Sequence, residues 1–549
     1  MKVIIVGGVA GGATAAARIR RLNEHAEITV FERSGYISYA NCGLPYYIGD
    51  VITDPEELTL QTPESFFKRF RINMKIHHEV ISIHPERKTV SVKNLENGEI
   101  FEENYDKLIL SPGAKPTQPR LPGAGIDKLF TLRTVEDTFR IKEYINKNHP
   151  KSAVLAGGGF IGLELAENLR ELGMDVTIVQ RPKQLMNPFD PDMASMIHNE
   201  MRKHGIKLVL GYTVEGFKEK DNGVEVLLKD NPSLQADMVV LAIGVTPDTV
   251  LAKEAGLELG IKESIVVNDR METSVPDIYA AGDAVQVKHY VTGNDALISL
   301  AGPANKQGRI IADNICGGDS RYLGSQGSSV IKVFDMTAAT TGINETNAKK
   351  SGLEVDTVIL SPMSHAGYYP GGKVMTMKVV FEKESYRLLG AQIIGYEGVD
   401  KRIDVLATAI HAGLNATQLK DLDLAYAPPY SSAKDPVNMA GFMIDNIAKG
   451  TLKQWHLEDM DKISKDKDVV LLDVRTVGEF SMGHIDGFKN IPVDELRERI
   501  SEIEKGKPVY LICQSGLRSY IASRILEGNG YETYNFSGGF RFYDAVAND

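Results

Sequence analysis

One pattern occurs twice in the first half of the chain and limits the folds open to it. Each copy is an apolar strand followed by a glycine-rich turn and the start of a helix: Lys2–Val6 with Gly7–Gly12, and Ala153–Ala156 with Gly157–Gly162. The strands that follow the two helices are Glu27–Glu32 and Asp175–Gln180. A unit of this kind has the size that binds one dinucleotide, so the chain is predicted to hold two nucleotide cofactors.

The first glycine turn is suited to a pyrophosphate, because exposed N–H groups and the helix dipole favour an anion there. Glu32, at the end of the following strand, can accept hydrogen bonds from a ribose diol. Val9 replaces the middle glycine of the usual pattern, so this turn alone also fits another α/β protein. A later strand, Thr273–Ala281, ends in Gly282-Asp283. Asp283 can bond a ribityl hydroxyl there, which indicates a flavin.

The second glycine turn fits the dinucleotide pattern fully, and Glu164 follows it in the first helical turns. The adjoining strand ends in Gln180-Arg181, where a carboxylate would select NADH and a basic residue could meet the 2′-phosphate of NADPH. Both donors stay open.

These elements together resemble the FAD-binding pattern of the pyridine nucleotide-disulfide oxidoreductase family, over about the first 445 residues. Leu241–Pro247 is similar to the strand and turn that face the nicotinamide in that family. The resemblance implies FAD and NADH or NADPH as cofactors. The implied cofactor contacts are Gly7, Gly8, Ala10, Gly11, Gly12, Glu32, Arg33, Gly113, Gly157, Gly159, Gly162, Glu164, Gly244, Gly282 and Asp283.

The chain has three cysteines, too few for a disulfide framework. Cys42 lies in Ser38–Tyr46, where the chain should return to the flavin site. In two-cysteine members of the family a second cysteine follows five positions later, but here that position is Tyr47. The pattern resembles the single-cysteine branch, which contains coenzyme A-disulfide reductases and NADH oxidases or peroxidases. Cys42 is therefore expected to react with an external thiol or an oxidised sulfur species.

The first helix carries Thr14, Arg18 and Arg21 on one face, because these positions are four and three residues apart. That face could bind the phosphates of coenzyme A, or it could be a solvated charged face. Ser38, Asn41 and Cys42 together with these positions resemble the coenzyme A-disulfide reductase branch, which favours the first interpretation. The implied coenzyme A contacts are Thr14, Arg18, Arg21, Ser38, Asn41, Arg71, Asn305 and Lys434.

Two tyrosine segments, His365–Pro370 and Leu424–Tyr430, are similar to a pair found in the same branch. Tyr368 and Tyr426 are the closest matches, with Tyr369 an adjacent alternative. Their hydroxyls could donate to a developing thiolate or hold coenzyme A; the alternative is aromatic packing. The resemblance implies a homodimer in which this domain supplies these groups across the interface.

Near the carboxyl end, the apolar strand Pro508–Ile512 delivers Cys513 into a loop that ends at Arg518. Backbone N–H groups of such a loop can bind an anion and stabilise a persulfide, and Arg518 adds positive charge. Together with Leu472–Arg475, Glu479 and Ser537–Gly539, the loop resembles a rhodanese domain. Cysteine-loop phosphatases share the cradle but have a longer loop. Gln514 stands where rhodaneses are often basic, so the sulfur donor stays open, and Cys316 is expected to be structural.

After about residue 325 the sequence predicts a separate α+β domain. Its strands lie within Ser329–Thr341 and Val374–Gly395, with a hairpin loop at Tyr386–Leu389, and its helices at Lys401–Gly413 and Val437–Lys449.

The overall expectation is an α/β protein with two Rossmann-like domains, an α+β dimerisation domain and a rhodanese domain. The predicted limits are 1–115 with 246–325 for FAD, 116–245 for NAD(P), 326–450 for dimerisation and 456–549 for rhodanese. A net charge of −11 disfavours nucleic-acid binding, and no apolar run is long enough to span a bilayer. A cytoplasmic protein without a metal site is expected.

The resemblance implies an NAD(P)H-dependent reductase of coenzyme A disulfide, coenzyme A persulfide or polysulfide, with persulfide sulfur carried on Cys513. One alternative is an NADH oxidase or peroxidase that works through a Cys42 sulfenic acid. Another is a sulfurtransferase whose flavoprotein part is regulatory.

Overall fold

The computed structural model describes residues 1–59, 61–117, 121–220 and 223–549. The chain forms two compact units: Met1–Leu185 with Gly205–Gly327, and Met186–His204 with Ser328–Asp549. The first unit contains the predicted nucleotide domains apart from Met186–His204, and the second contains that segment with nearly all of the predicted dimerisation domain and the predicted rhodanese domain.

The first glycine turn follows the middle strand of a five-stranded parallel sheet. The strands in spatial order are Ile278–Ala280, Lys107–Leu110, Lys2–Val6, Glu27–Phe31 and Asn73–Lys75. Val3, Ile4 and Ile5 are completely buried, as is usual where a parallel sheet is covered on both faces. Val6 and the Gly282 turn therefore meet at the carboxyl edge of the sheet, where α/β proteins bind ligands.

The second glycine turn occupies the equivalent place in another five-stranded parallel sheet. Its strands in spatial order are Lys207–Leu210, Asp175–Gln180, Ser152–Ala156, Met238–Leu241 and Leu129–Thr131. The two turns thus have the same structural context, as the sequence repeat predicts.

The remaining elements of the first unit are helices and short antiparallel strands. The helices are Ala10–Leu22, Leu44–Ile48, Pro63–Phe70, Val135–Asn148, Phe160–Glu171, Val250–Glu254 and Ala301–Ile315. The strands are His78–His84, Thr89–Asn94 and Ile100–Asn104; Val214–Lys220, Gly223–Leu228 and Asn231–Ala236; Ala114–Pro116 with Val245–Pro247; and Val287–Lys288 with Asp295–Ala296.

The second unit contains a five-stranded antiparallel sheet. Its strands in spatial order are Ser329–Val333, Met336–Gly342, Leu388–Gly395, Met375–Glu382 and Val355–Leu360, and the helices beside it are Glu345–Lys350, Val399–His411 and Pro436–Ala448. The hairpin turn begins at Lys383, three residues earlier than predicted, because the first strand ends at Glu382 and Leu388 already pairs with Phe381.

Helix Pro191–Lys203 packs with this second unit, although the sequence places it inside the predicted 116–245 domain. The reason is a buried cation, Lys378, on strand Met375–Glu382. Its Nζ lies 2.7 Å from the carboxylate of Asp192 and 3.2 Å from that of Asp190. A buried charge needs such partners, so the start of the helix is fixed to the sheet.

The Cys513 loop belongs to a third five-stranded parallel sheet, also in the second unit. Its strands in spatial order are Gln454–Trp455, Thr533–Phe536, Val509–Ile512, Val470–Asp473 and Lys489–Asn490, with helices Met460–Ile463, Val477–Met482, Leu517–Glu527 and Gly539–Ala547. We call residues 454–549 the sulfur module.

The sulfur module is fastened to the rest of the second unit at two places. At strand Val355–Leu360, the N–H of Ile359 donates to Ser537 Oγ at 3.0 Å and the amide of Gln454 donates to the carbonyl of Thr357 at 2.8 Å. At helix Pro191–Lys203, Nδ1 of His198 lies 2.7 Å from the carboxylate of Asp549. The module is therefore docked, not suspended on a linker.

Among the described residues, the model has no helix long and apolar enough to cross a membrane. Within the same ranges there is also no group of three or more acidic, histidine or cysteine side chains that could hold a metal ion.

Candidate active sites

The first glycine turn is packed too closely to admit side chains. A Cβ on Gly12 would lie 1.9 Å from the carbonyl oxygen of Gly7, and a Cβ on Gly7 would lie 2.1 Å from that of Ser111. The N–H of Gly8 donates to the buried Glu32 carboxylate at 2.8 Å, and the N–H of Ser34 donates to its other oxygen at 2.9 Å. Glu32 therefore holds the turn while keeping lone pairs for a ribose, as FAD requires.

The second flavin element, Gly282-Asp283, is held by two side chains. The N–H of Gly282 donates to the buried amide oxygen of Gln307 at 2.8 Å. Arg133 donates to the Asp283 carboxylate at 2.7 Å. These contacts fix the backbone that a ribityl chain would approach, so the residues present fit FAD.

The outer cofactor positions of the first unit are less enclosed. Arg33 is half-exposed and pairs with Asp248 at 2.8 Å. Gly113 and Gly244 both have positive φ, 72° and 109°. Each directly precedes a short strand, Ala114–Pro116 and Val245–Pro247 respectively. Their backbone shape fits a close approach by a cofactor.

The second glycine turn has the same arrangement as the first, with the neutral side chain of Gln180 in the place of the Glu32 carboxylate. A Cβ on Gly162 would lie 2.1 Å from the carbonyl oxygen of Gly157. The N–H of Gly158 donates to Oε1 of Gln180 at 3.0 Å, as that of Gly8 does to Glu32. A Cβ on Gly159 would meet nothing within 4 Å, so this position opens outward. The turn can present its backbone to a pyrophosphate, which fits NADH or NADPH.

Cys42 lies in a single 3₁₀ turn, Asn41–Gly43, immediately before helix Leu44–Ile48. Its side chain is exposed overall, yet the surrounding protein desolvates the thiol and raises its pKa. The carboxylate of Glu164 raises this pKa further, and that of Asp283 does so to a smaller extent, whereas the guanidinium of Arg133 lowers it. The thiol therefore lies among the groups that hold both predicted cofactors.

Glu164 is the most perturbed carboxyl near Cys42. Burial and the nearby charge of Glu167 raise the pKa of Glu164 to about 7. Its helix, Phe160–Glu171, packs directly on the Cys42 segment, because a Cβ on Gly49 would lie 2.0 Å from the side chain of Asn168. Glu164 also contributes, after burial, to raising the pKa of Tyr46 to about 12.

The predicted coenzyme A face of the first helix contacts helix Ala301–Ile315. The hydroxyl of Thr14 donates to the amide oxygen of Asn305 at 2.5 Å, which brings two predicted contacts together. Arg18 is not a free cation, because its Nε donates to the carboxylate of Asp313 at 2.8 Å. Arg21 is exposed. The face therefore offers one unshielded guanidinium, not the two that the spacing predicts.

Arg71 is brought to the end of the first helix by a residue that the sequence did not mark. The buried Arg20 donates to the carbonyl of Phe70 at 2.7 Å and to that of Arg71 at 2.9 Å. The exposed Arg71 side chain lies over the ring of Phe67.

Ser38 and Asn41 flank Cys42 in the chain, and the N–H of Ser38 donates to the carbonyl of Gly8 at 2.9 Å.

In the second unit, the hydroxyls of Tyr368 and Tyr426 lie 2.7 Å apart. Both side chains are exposed, 75% and 45%, so neither is a packing residue of its own domain. Tyr369 differs, because its ring meets that of His365 edge-on. Lys434 is exposed on the segment that follows Tyr430. The hydrogen bond to Tyr368 raises the pKa of Tyr426, which favours the protonated phenol of Tyr426.

Cys513 is fully buried at the base of its loop. Its sulfur accepts hydrogen bonds from the N–H of Gly516 and the hydroxyl of Ser519, each at 3.1 Å. Gly539 closes over the loop so tightly that a Cβ there would lie 2.7 Å from the N–H nitrogen of Ser515. The loop therefore directs a backbone N–H and the hydroxyl of Ser519 at the sulfur, and its role as an anion cradle stays a prediction.

Two arginines near Cys513, Arg475 and Arg518, are each paired with a carboxylate. Arg518 donates two 2.7 Å hydrogen bonds to Glu479. Arg475 pairs with Asp473 at 2.7 Å, and both side chains are buried. The hydrogen bonds from Arg518 and the capping residue Thr476 hold the pKa of Glu479 at about 2, so the pair stays ionised. The positive charge predicted for Arg518 is therefore balanced inside the protein.

Sequence reasoning missed three residues at these sites: Arg133 and Gln307, which hold the Gly282-Asp283 turn, and Ser519, which donates to the Cys513 sulfur. Ser519 carried a usable signal, since the first turn of a helix after a cysteine loop points its donors back at the sulfur. Arg133 and Gln307 lie far from the motifs they serve, and only the fold brings them there.

Two nucleotide turns beside one cysteine define a nucleotide-dependent thiol oxidoreductase. Residues 1–308 match the pyridine nucleotide-disulphide oxidoreductase family, 328–436 its dimerisation domain and 456–545 a rhodanese-like domain. The chain belongs to the pyridine nucleotide-disulphide oxidoreductase family. The expected α/β architecture is thereby confirmed, as are an oxidoreductase activity and dependence on FAD and NAD(P)H.

Individual relatives extend the likeness over most of the chain. A coenzyme A disulfide reductase of Staphylococcus aureus (strain JH9) is 38% identical over 80% of this chain and 99% of that protein. The reduced CoADR-RHD of Bacillus anthracis is 49% identical with a TM-score of 0.97, covering 100% of this chain and 98% of that one. An NAD-dependent persulfide reductase from A. fulgidus is 38% identical with a TM-score of 0.93, covering 99% and 100%.

Proposed function

We propose that this protein uses NAD(P)H to reduce coenzyme A disulfide, coenzyme A persulfide or polysulfide at Cys42, and that Cys513 carries persulfide sulfur. The observation that carries the proposal is the isolation of Cys42. Tyr47 occupies the place of a second cysteine and packs on Phe139, and Cys42, Cys316 and Cys513 are all free thiols. Cys42 must therefore form its disulfide with a substrate.

The chemistry at Cys42 has two steps. The Cys42 thiolate attacks one sulfur of the disulfide, forms a Cys42-coenzyme A bond and releases one coenzyme A thiolate. An electron pair then breaks this bond, returning the Cys42 thiolate and the second coenzyme A thiolate. When bound, the FAD and nicotinamide supply that electron pair. Cys42 must lose a proton first, and the nearby carboxylates disfavour this while Arg133 favours it.

Substrate binding is proposed for the face formed by Thr14, Asn305 and Arg21. The Thr14–Asn305 pair places polar groups on this face, and Arg21 is exposed beside it. Arg18 can reach an anion while remaining paired with Asp313, since a guanidinium has five donors. We extend the site to Ser38, Asn41 and Arg71. The likeness to a coenzyme A disulfide reductase supports this choice.

We further propose that the protein acts as a homodimer, with Tyr368, Tyr426 and Lys434 completing the site of the partner. The match to a dimerisation domain supports this assembly. The exposed tyrosine pair supports it too, because two hydrogen-bonded hydroxyls are more exposed than a domain core allows. The domain limits 1–115 with 246–325, 116–245, 326–450 and 456–549 remain our proposal for the monomer.

Replacement of the reactive thiol tests the proposal. Cys42→Ser should bind FAD normally but lose NAD(P)H-dependent reduction of coenzyme A disulfide, whereas Cys316→Ser, the matched control, should keep both. Mass spectrometry of the untreated protein should find coenzyme A on the peptide that contains Cys42. Retained disulfide reduction in Cys42→Ser would refute the role of this thiol.

A second comparison separates the proposal from a peroxidase. The double variant Arg18→Gln, Arg21→Gln should raise KM for coenzyme A disulfide far more than KM for a small disulfide without phosphates. If the wild type instead reduces hydrogen peroxide or oxygen faster than coenzyme A disulfide, the sulfenic acid chemistry is correct and the proposal is wrong.

A further inference from the structure

Two ion pairs lie beside the Cys513 loop. Arg475, just after strand Val470–Asp473, pairs with Asp473, and Arg518, in the first helical turn after the loop, pairs with Glu479. Arg518 uses both terminal nitrogens on Glu479. Gln514, half-buried in the loop, is neutral, and its amide oxygen accepts from Arg475 at 3.5 Å.

Two other titratable side chains near the loop are exposed. Arg541 meets the loop through its backbone, whose N–H donates to the carbonyl of Gln514, and its side chain is exposed. His484 is exposed, with its ring stacked on that of Phe480. The sulfur of Cys513 itself accepts from the N–H of Gly516 and the hydroxyl of Ser519, and neither Arg475 nor Arg518 is left without a carboxylate.

The surface next to the two ion pairs is apolar. Val477 and Met482, on either side of Glu479 in the chain, are 60% and 85% exposed. Leu517, adjacent to Arg518, is 58% exposed. An aliphatic group that buries any of these side chains would gain from the contact, while a small inorganic dianion would not.

We propose that Cys513 accepts sulfur from a low-molecular-weight organic persulfide and discriminates against thiosulfate, with the Glu479–Arg518 pair as the specificity-determining element. This rests on the sulfur-carrying role of Cys513 proposed above. A thiosulfate dianion is bound best by an unpaired cation, whereas Arg518 uses both terminal nitrogens on Glu479 and Arg475 is buried against Asp473. The reacting sulfur of an organic persulfide carries at most one charge, so it depends less on such a cation.

The transfer conserves sulfur and electrons without an added oxidant or reductant. The Cys513 thiolate attacks the outer sulfur of R–S–SH. A new sulfur–sulfur bond forms on Cys513, the bond to the inner sulfur breaks, and R–S⁻ leaves with the electron pair. The proton stays on the transferred sulfur, and the loop N–H groups with Ser519 stabilise the resulting persulfide.

The test compares two donors on the full-length holoenzyme. Thiosulfate and N-acetylcysteamine persulfide are each supplied, and the rate at which the Cys513 peptide gains one sulfur atom is followed by mass spectrometry. The wild type should load at least about tenfold faster from the persulfide. Glu479→Gln keeps the helix cap with Thr476 but frees Arg518, so loading from thiosulfate should rise about tenfold while loading from the persulfide changes little.

Two further variants make the result decisive. Gln514→Lys adds a cation and leaves both ion pairs intact, so it should also raise thiosulfate loading even if Glu479→Gln folds poorly. Glu502→Gln breaks a remote ion pair with Arg499 and should match the wild type. Equal loading of the wild type from both donors, or no gain in either cationic variant, would overturn the inference. Failure of Cys513 to load from any donor would refute the sulfur-carrying role itself, and the inference with it.

Discussion

Arg133 and Asp283 form a 2.7 Å ion pair, and the two residues act on the thiol of Cys42 in opposite directions. The guanidinium lowers the pKa of the thiol and the carboxylate raises it. The two residues follow strands that are far apart in the chain. Their ion pair brings the Gly282-Asp283 turn into the electrostatic environment of the Cys42 thiol.

Arg133→Gln should raise the pKa of Cys42. The substitution removes the cation that stabilises the thiolate and leaves the Asp283 charge unbalanced. The pH dependence of Cys42 alkylation by iodoacetamide measures this, and the profile should move to higher pH. Arg87→Gln, which breaks an exposed pair with Glu102, should leave the profile in place. A profile that does not move in Arg133→Gln would contradict the assigned effect.

Glu164→Gln should stabilise the protein more at pH 8 than at pH 5. Folding raises the pKa of Glu164 from 4.5 to about 7, so the folded state binds more protons between these values and loses stability as pH rises through them. Glutamine removes that loss. Thermal unfolding of wild type and variant at both pH values measures the difference, with the exposed Glu171→Gln as control. A gain of equal size at both pH values would show that Glu164 ionises normally.

Gly159→Ala and Gly162→Ala should fail in different ways. A methyl group at Gly162 meets the Gly157 carbonyl oxygen at 2.1 Å, so this variant should lose folding stability, by about 1–3 kcal/mol. A methyl group at Gly159 meets nothing within 4 Å, so this variant should keep its stability but reduce its flavin slowly with NAD(P)H. Unfolding midpoints and anaerobic flavin bleaching measure the two effects. Unchanged bleaching in Gly159→Ala would place the pyrophosphate elsewhere.

The contact between Asp549 and helix Pro191–Lys203 should weaken as pH falls below 6.5. Burial lowers the pKa of His198 from 6.5 and outweighs the opposing effect of Asp549, so protonation is easier once an opening of this packing exposes His198 to water. Asp549 itself has a pKa below 3.8, and its pairing with Arg202 adds nothing to this pH range. The hydrogen-exchange protection factors of helix Gly539–Ala547, which are corrected for the intrinsic pH dependence of exchange, should therefore fall between pH 8 and pH 5.

The matched variant for this contact is His198→Gln, with the exposed His25→Gln as control. The glutamine variant should lose most of the pH dependence of exchange, and the control should retain it. A pH dependence that survives in His198→Gln would assign the effect to another group.

The sequence predicts the elements whose signals are local. Both glycine turns, the strands before them and the Cys513 cradle follow from spacing and residue type, since a turn that admits no Cβ leaves a glycine pattern. The neutralisation of Arg18 and Arg518 could not be predicted, because Asp313 and Glu479 reach them from separate segments. The packing of helix Pro191–Lys203 on the second unit was missed for the same reason, as it depends on Lys378.

Because the sulfur module is docked on the preceding domain, the segment around Gly450 does not act as a flexible linker. A module swinging on a flexible connection would have an effective concentration set by the length of that connection. Here the hydrogen bonds to Ile359 and Thr357, together with the His198–Asp549 contact, fix the position of Cys513 relative to the domain that precedes it. Inserting glycines after Gly450 should therefore leave the docked position of Cys513 unchanged. Under the proposed function, sulfur would then leave Cys513 on a small carrier molecule and not by movement of the module.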